Sequence, residues 1–189
     1  MSMSNELPEE VVTDFKVRYL DLPLGAGRAA MITMDNGLDF NKPNTFGLGG
    51  LASLNAALDE VAEQSDLAAV CLTGKPFIFA VGADLSGVPF ISSREQGLEI
   101  AEAGHAAFRR FGELGVPTFA FINGAAMGGG LEIALHCDFR TVSSGAAAIA
   151  LPECFLGLVP GWGGTYLLPN LIGASGAVKV IVENALNQN

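Results

Sequence analysis

The sequence is poor in charge, in cysteine and in histidine. Only 16 % of its 189 residues are Asp, Glu, Lys or Arg, against roughly 25 % in an average soluble domain. Lys and Arg number 10 against 20 Asp and Glu, a net charge of −10. Apart from Arg109-Arg110 the cations stand singly, so there is no basic face for nucleic acid or an anionic membrane. The three cysteines, Cys71, Cys137 and Cys154, are odd in number and far apart. That spacing argues against a disulfide framework and a zinc cluster, and reads as buried small hydrophobes. The two histidines, His105 and His136, fall on helical segments with no Cys or Ser motif beside them, and read as packed or surface helix residues. No G-x-S-x-G elbow and no P-loop occurs. Gly25-Ala26-Gly27-Arg28-Ala29-Ala30 has the look of a dinucleotide fingerprint, but it runs into a strand-like segment rather than a helix and reads as a hairpin turn. Met1 to Asp14 is polar and acidic, without the basic and apolar regions of a signal peptide. The longest stretch short of charge, Thr118 to Cys137, contains Asn123, Glu132, His136 and four glycines, which a bilayer-spanning helix would resist. A cytoplasmic, soluble protein is expected, with no membrane or nucleic-acid partner.

What is present is apolar. Half of the residues are hydrophobic and the mean hydropathy is +0.40, which excludes intrinsic disorder. The length suits one domain, able to bury about 70 % of its unfolded surface. With so few charges, part of its apolar surface is expected to be covered by partner subunits or ligand.

The chain alternates strand-like and helix-like segments, the pattern of an α/β domain. Phe15 to Leu22 and Arg28 to Met34 read as a hairpin, and Asn36 to Asn44 as a loop. Leu51, Leu54, Leu58 and Val61 have amphipathic spacing within a helix from Leu48 to Ala62. Leu67 to Thr73 reads as a strand buried on both faces, and Phe77 to Val81 as another. A helix is expected from Gln96 to Leu114, a strand from Thr118 to Ile122 and a helix from Gly129 to His136. Strands over Phe139 to Val142 and Ile149 to Leu151 follow, then a helix from Val178 to Leu186.

Three features could carry chemistry. The Phe79-Ala80-Val81-Gly82-Ala83-Asp84-Leu85 string runs a strand into a glycine, leaving backbone N–H groups to face a cleft. Asn123-Gly124-Ala125-Ala126-Met127-Gly128-Gly129-Gly130-Leu131-Glu132 places three glycines where a helix starts. Free N–H donors and the helix dipole there suit an oxyanion hole; close helix–strand packing selects glycine equally well. Third, Glu132 and Glu153 interrupt apolar surroundings. Burial raises a carboxyl pKa towards neutrality and suits a general acid or base, whereas a solvent-facing or structural pair is the alternative.

Taken with Leu151-Pro152-Glu153, Gly157-Leu158-Val159-Pro160-Gly161-Trp162-Gly163-Gly164-Thr165 and Leu168-Pro169-Asn170-Leu171-Ile172-Gly173, these strings resemble the crotonase, or enoyl-CoA hydratase/isomerase, superfamily. The resemblance spans residues 14 to 189. It implies a crotonase-like spiral of ββα units, two roughly perpendicular sheets ringed by helices. Residues 1–13 are then a flexible acidic N-terminus, and the C-terminal trimerisation helices of the family are absent. Carried over by motif, the oxyanion donors are the N–H groups of Val81 and Gly129. The catalytic glutamates are Glu132 and Glu153, and Ala80, Ala83, Asp84, Gly128 and Trp162 are substrate-binding. The reaction implied is syn hydration of a trans-2-enoyl-CoA in fatty-acid β-oxidation. It needs no metal and no cofactor beyond the CoA of the substrate. Alternatives on the same scaffold are an enoyl-CoA isomerase, an acyl-CoA thioester hydrolase, or a non-catalytic member that binds acyl-CoA or a partner. The assembly implied is a homotrimer or dimer of trimers, were the C-terminal part supplied. Glu132 and Glu153 lie one residue further apart than the family commonly shows, with the extra residue within Ser143 to Ala148.

Overall fold

In the computed structural model, which describes residues 9–183, the chain opens with a hairpin. Strand β1 (Asp14–Asp21) pairs antiparallel with β2 (Arg28–Asp35), Asp14 opposite Asp35 and Asp21 opposite Arg28. Helix α1 (Leu48–Ala62) follows, burying Leu51, Leu54, Leu58 and Val61 as its spacing predicts. Its N-cap residue, Gly47, has no side chain to bond the free amides. The Glu10 carboxylate does so instead, accepting from Gly49 N–H at 2.8 Å and Gly50 N–H at 2.9 Å. Thr13 is fully buried and its hydroxyl donates to the Thr45 carbonyl at 2.7 Å. The expectation of a flexible N-terminus through residue 13 is therefore corrected: these long-range bonds tie down residues 10–13, and residues 1–8 lie outside the described residues.

The rest of the chain winds through three similar turns. Each starts with a strand of a large sheet: β3 (Leu67–Gly74), β5 (Thr118–Ile122) or β7 (Phe139–Val142). Each continues with a short strand of a second sheet: β4 (Ile78–Ala80), β6 (Ala125–Met127) or β8 (Ile149–Ala150). Each then reaches a helix: α2 (Arg94–Arg109), α3 (Gly129–Leu135) or α4 (Gly164–Val178). The large sheet has the order β1-β2-β3-β5-β7 and the small one β4-β6-β8, parallel throughout except β1–β2. This is the crotonase spiral. Phe79, Phe108, Ile122, Ile133 and Leu151 are fully buried between the layers.

Two side-chain amides, the buried Asn44 and the half-buried Asn123, join the layers where backbone groups would otherwise lack partners. Asn44 donates to the Met34 and Phe79 carbonyls, both at 3.0 Å. Asn123 accepts from Gly74 N–H and donates to the Gly74 and Lys75 carbonyls.

α4 is the main departure from the expected elements. It begins well before Val178, and a π-helical turn from Lys179 to Glu183 continues it; residues 184–186 of the expected helix lie outside the described residues. Gly164–Glu183 is long and apolar enough to cross a membrane by length and composition alone. Its backbone, however, leaves helical geometry at Gly173 (φ 78°, ψ 158°) and contains Pro169, so the stretch is not one straight helix. Tyr166, Leu171, Ile172, Val178 and Val182 on this stretch are exposed.

Candidate active site

The small sheet ends in a cleft. The residue after β4 that turns the chain is Gly82, at φ 101°, a left-handed backbone that side-chain-bearing residues rarely adopt. Beyond it, Ala83 forms a lone parallel bridge with Phe46. In that bridge Phe46 N–H bonds the Gly82 carbonyl and Asp84 N–H bonds the Phe46 carbonyl, both at 2.9 Å. The amide of Ala83 itself, between the two, turns away from Phe46 and has no acceptor among the described residues.

Val81, expected to be an oxyanion donor, is differently placed. Its N–H donates to the Asn44 carbonyl at 2.9 Å and is therefore spent inside the fold. The left-handed backbone at Gly82 breaks the alternation of the extended chain, so the Ala83 N–H, unlike that of Val81, faces away from the 44–46 segment and is the free donor. Gly129, the other expected donor, is the first residue of α3, and its N–H has no acceptor among the described residues. The two segments touch, since a Cβ built on Gly82 would lie 3.3 Å from Gly129 N.

Both glutamates border this cleft, of about 330 Å³, together with Val81, Ala83, Gly128, Gly129 and Trp162. Between them the chain makes a turn, where Ala146 N–H bonds the Ser143 carbonyl at 3.0 Å, before β8 pairs with β6. Two residues expected at the substrate are elsewhere. Ala80 is fully buried beneath α3, and the Asp84 carboxylate caps the 3-10 helix Leu85–Phe90 by accepting from Ser86 N–H at 2.9 Å. Neither lines the cleft.

Glu132 is only 2 % exposed. One carboxylate oxygen, Oε1, accepts from both Trp162 N–H and Gly164 N–H at 2.8 Å. Burial, aided by the nearby charge of Glu153, raises its pKa to about 7 against the opposing pull of those two amides. Burial likewise raises the pKa of Glu153, whose Oε2 is buried with no hydrogen-bond partner among the described residues. Both carboxyls are thus shifted towards keeping a proton at higher pH than a free glutamate does.

A stability prediction follows from Glu132. An unfolded glutamate titrates near 4.5 and this one near 7, so the folded state holds its proton more tightly. The stability this contributes is present below pH 4.5 and is lost as the pH rises to about 7, a change of up to about 3 kcal/mol. Glu132→Gln keeps an acceptor for both amides and does not ionise. Relative to wild type it is expected to gain up to about 3 kcal/mol between pH 5 and pH 8, read by urea denaturation at both values. A difference that does not change with pH would contradict the buried charge.

Sequence reasoning missed the apolar wall. Val88, Ile91, Gly97, Ile100 and Ala101 line the cleft from α2 and the 3-10 turn before it. Gly97, Ala101 and Gly104 share one helical face, a small-residue stripe visible in the sequence. Trp162 is wedged where that stripe meets α3, its ring against Gly104 and Gly129 and 5.3 Å from Phe108 in an edge-on contact. A second hollow, of about 400 Å³ beside Phe111, Val116 and Phe139, has Asp138 as its only titratable group. That carboxylate is committed to the Thr118 amide and hydroxyl.

A ββα spiral with paired carboxyls and unpaired amides at the end of its small sheet defines a crotonase-fold protein. The enoyl-CoA hydratase/isomerase family model matches residues 29–186, and the chain belongs to that family. It is 40 % identical over 149 residues to the fatty acid oxidation complex subunit alpha of Pseudomonas aeruginosa (strain LESB58), a match covering 77 % of this chain. The match spans about a fifth of the length of that relative, 20 %. Among solved structures, Pseudomonas aeruginosa DspI superposes with a TM-score of 0.76 at 31 % identity, covering 96 % of this chain and 69 % of that one. An enoyl-CoA hydratase from Bacillus anthracis does so with a TM-score of 0.75 at 31 % identity, covering 89 % and 62 %.

Proposed function

We propose that the chain hydrates trans-2-enoyl-CoA thioesters to 3-hydroxyacyl-CoA. The observation that carries this reading is the convergence of two carboxyls with raised pKa, Glu132 buried and Glu153 half-buried, and two unpaired amides on one apolar cleft. A single buried carboxyl suffices to move a proton along a substrate. Adding water needs one group to take a proton and another to give one.

In this reading the thioester oxygen accepts hydrogen bonds from the Ala83 and Gly129 amides. Charge that develops on that oxygen as water attacks is thereby stabilised, and C3 becomes electrophilic. Glu132, ionised and held by two N–H donors, takes a proton from water as the water oxygen bonds C3. Glu153, protonated, gives its proton to C2. The alkene π bond breaks, one C–O and one C–H bond form, and the proton gained by Glu132 returns through solvent to Glu153. The acyl chain would lie along Val88, Ile91 and Ile100, with Gly97 and Ala101 leaving room for it.

Crotonyl-CoA tests this directly. Steady hydration is expected, with kcat/KM falling as the pH drops below about 7, where Glu132 takes up its proton. Absence of hydration together with conversion of a trans-3-enoyl-CoA to its trans-2 isomer would overturn the reading in favour of isomerisation.

A further inference from the structure

Helix α3 carries a second residue that reaches the loop clamping Glu132. His136 stands one helical turn beyond Glu132, on the same face, and its Nε2 lies 2.8 Å from the Trp162 carbonyl oxygen. A carbonyl only accepts, so Nε2 carries the hydrogen. Trp162 is thus held at both ends of its backbone: its N–H by Glu132 and its C=O by His136. The next residue, Gly163, has φ 123°, and a Cβ there would lie 2.5 Å from His136 Nε2. The loop backbone therefore rests directly on the imidazole, and glycine is what lets it do so. The amide after that, Gly164 N–H, is the second donor to Glu132. The imidazole is held in place by α2, with Phe108 edge-on at 6.2 Å and the His105 ring at 5.7 Å.

We infer that His136 is a positioning residue for Glu132: by anchoring the Trp162 carbonyl it holds both amides of the carboxylate clamp in place. The charged and titratable groups around it are His105 and Arg109 from α2 and Glu132 on its own helix. Burial, opposed by the hydrogen bond to the Trp162 carbonyl and aided by the two α2 groups, holds the imidazole pKa below its ordinary value. The inference deepens the hydratase reading, since it assigns a function to the geometry of Glu132, but the clamp exists whether or not that reaction is the right one.

The test follows the Glu132 carboxyl by carbon-13 NMR titration in the full chain, alongside crotonyl-CoA kinetics. His136→Leu keeps bulk and removes the donor. The two amides then bond less tightly, and the Glu132 midpoint is expected to rise by about one pH unit. The acid limb of the pH–rate profile moves with it, and kcat falls about tenfold with KM within about twofold. His136→Gln, whose amide nitrogen reaches the same distance from Cβ, is expected to restore both. Gly163→Ala keeps the histidine but presses a methyl group against Nε2, so the midpoint rises in a protein that retains the imidazole. An unchanged Glu132 midpoint in His136→Leu, or in Gly163→Ala should the leucine variant not fold, overturns the inference. So does a glutamine variant that behaves like leucine. If no enoyl-CoA is hydrated at all, the function falls while the carboxyl titration still decides the role of His136.

Discussion

Glu153→Gln is expected to lower crotonyl-CoA hydration by about a thousandfold while the protein stays folded. A positioned acid or base contributes roughly 10²–10⁴ in rate, and glutamine has the shape of glutamate but no proton to deliver to C2. The fold should not object. Glu153 Oε2 is buried with no partner among the described residues, and burial already disfavours its ionised form. An uncharged amide therefore removes a desolvation cost at high pH, although it brings an N–H group that needs an acceptor. Thermal unfolding within a few degrees of wild type, measured beside kcat/KM, is the expected pair of results. Turnover within tenfold of wild type would remove Glu153 from the mechanism.

The second large effect comes from a single methyl group. In Gly130→Ala the new Cβ would fall within the van der Waals shell of the Ala80 carbonyl oxygen and carbon. Both are backbone atoms of β4, so no side chain can swing aside. Helix α3 must lift off the small sheet, at a cost of about 3 kcal/mol, the upper part of the range for overpacking. In a domain of this size that lowers the melting temperature by roughly 6–12 °C. The lift also displaces the Gly129 amide and Glu132 relative to the Ala83 amide. A misplacement of about 1 Å at reacting groups costs on the order of 10² in rate. Denaturant unfolding and crotonyl-CoA turnover together check this. A variant as stable and as active as wild type would mean that α3 does not rest on β4.

Both predictions concern residues visible in the sequence, but not every neighbour of theirs was. Helix α1 and strand β5 were legible to the residue, because a buried helix stripe and a strand whose alternate residues Thr118, Ala120 and Ile122 are buried leave regular patterns. Helix α4 was not, because Pro169, Gly173 and Gly176 interrupt its pattern. Strand β6, only three residues long, carries no period of its own and is defined by its partners β4 and β8. The role of Glu10 was hidden for a similar reason: a helix cap supplied from 39 residues away along the chain leaves no local signature.

Within the site the division is sharper. The sequence by itself determined which residue types are present: two glutamates in apolar surroundings, and glycines where a strand and a helix begin. Those choices reflect local chemistry, since a buried carboxyl or a residue at φ 101° is costly wherever it occurs. Which amides remain free was decided by the tertiary structure alone. Val81 and Ala83 differ only in which side of one parallel bridge their N–H groups take, and that depends on Asn44 and Phe46, far away in the chain. The clamp on Glu132 is of the same kind. Its two donors and the histidine behind them come together because α3 and the 160–164 loop pack against each other, and hydrogen bonds between distant segments leave no pattern in the order of residues.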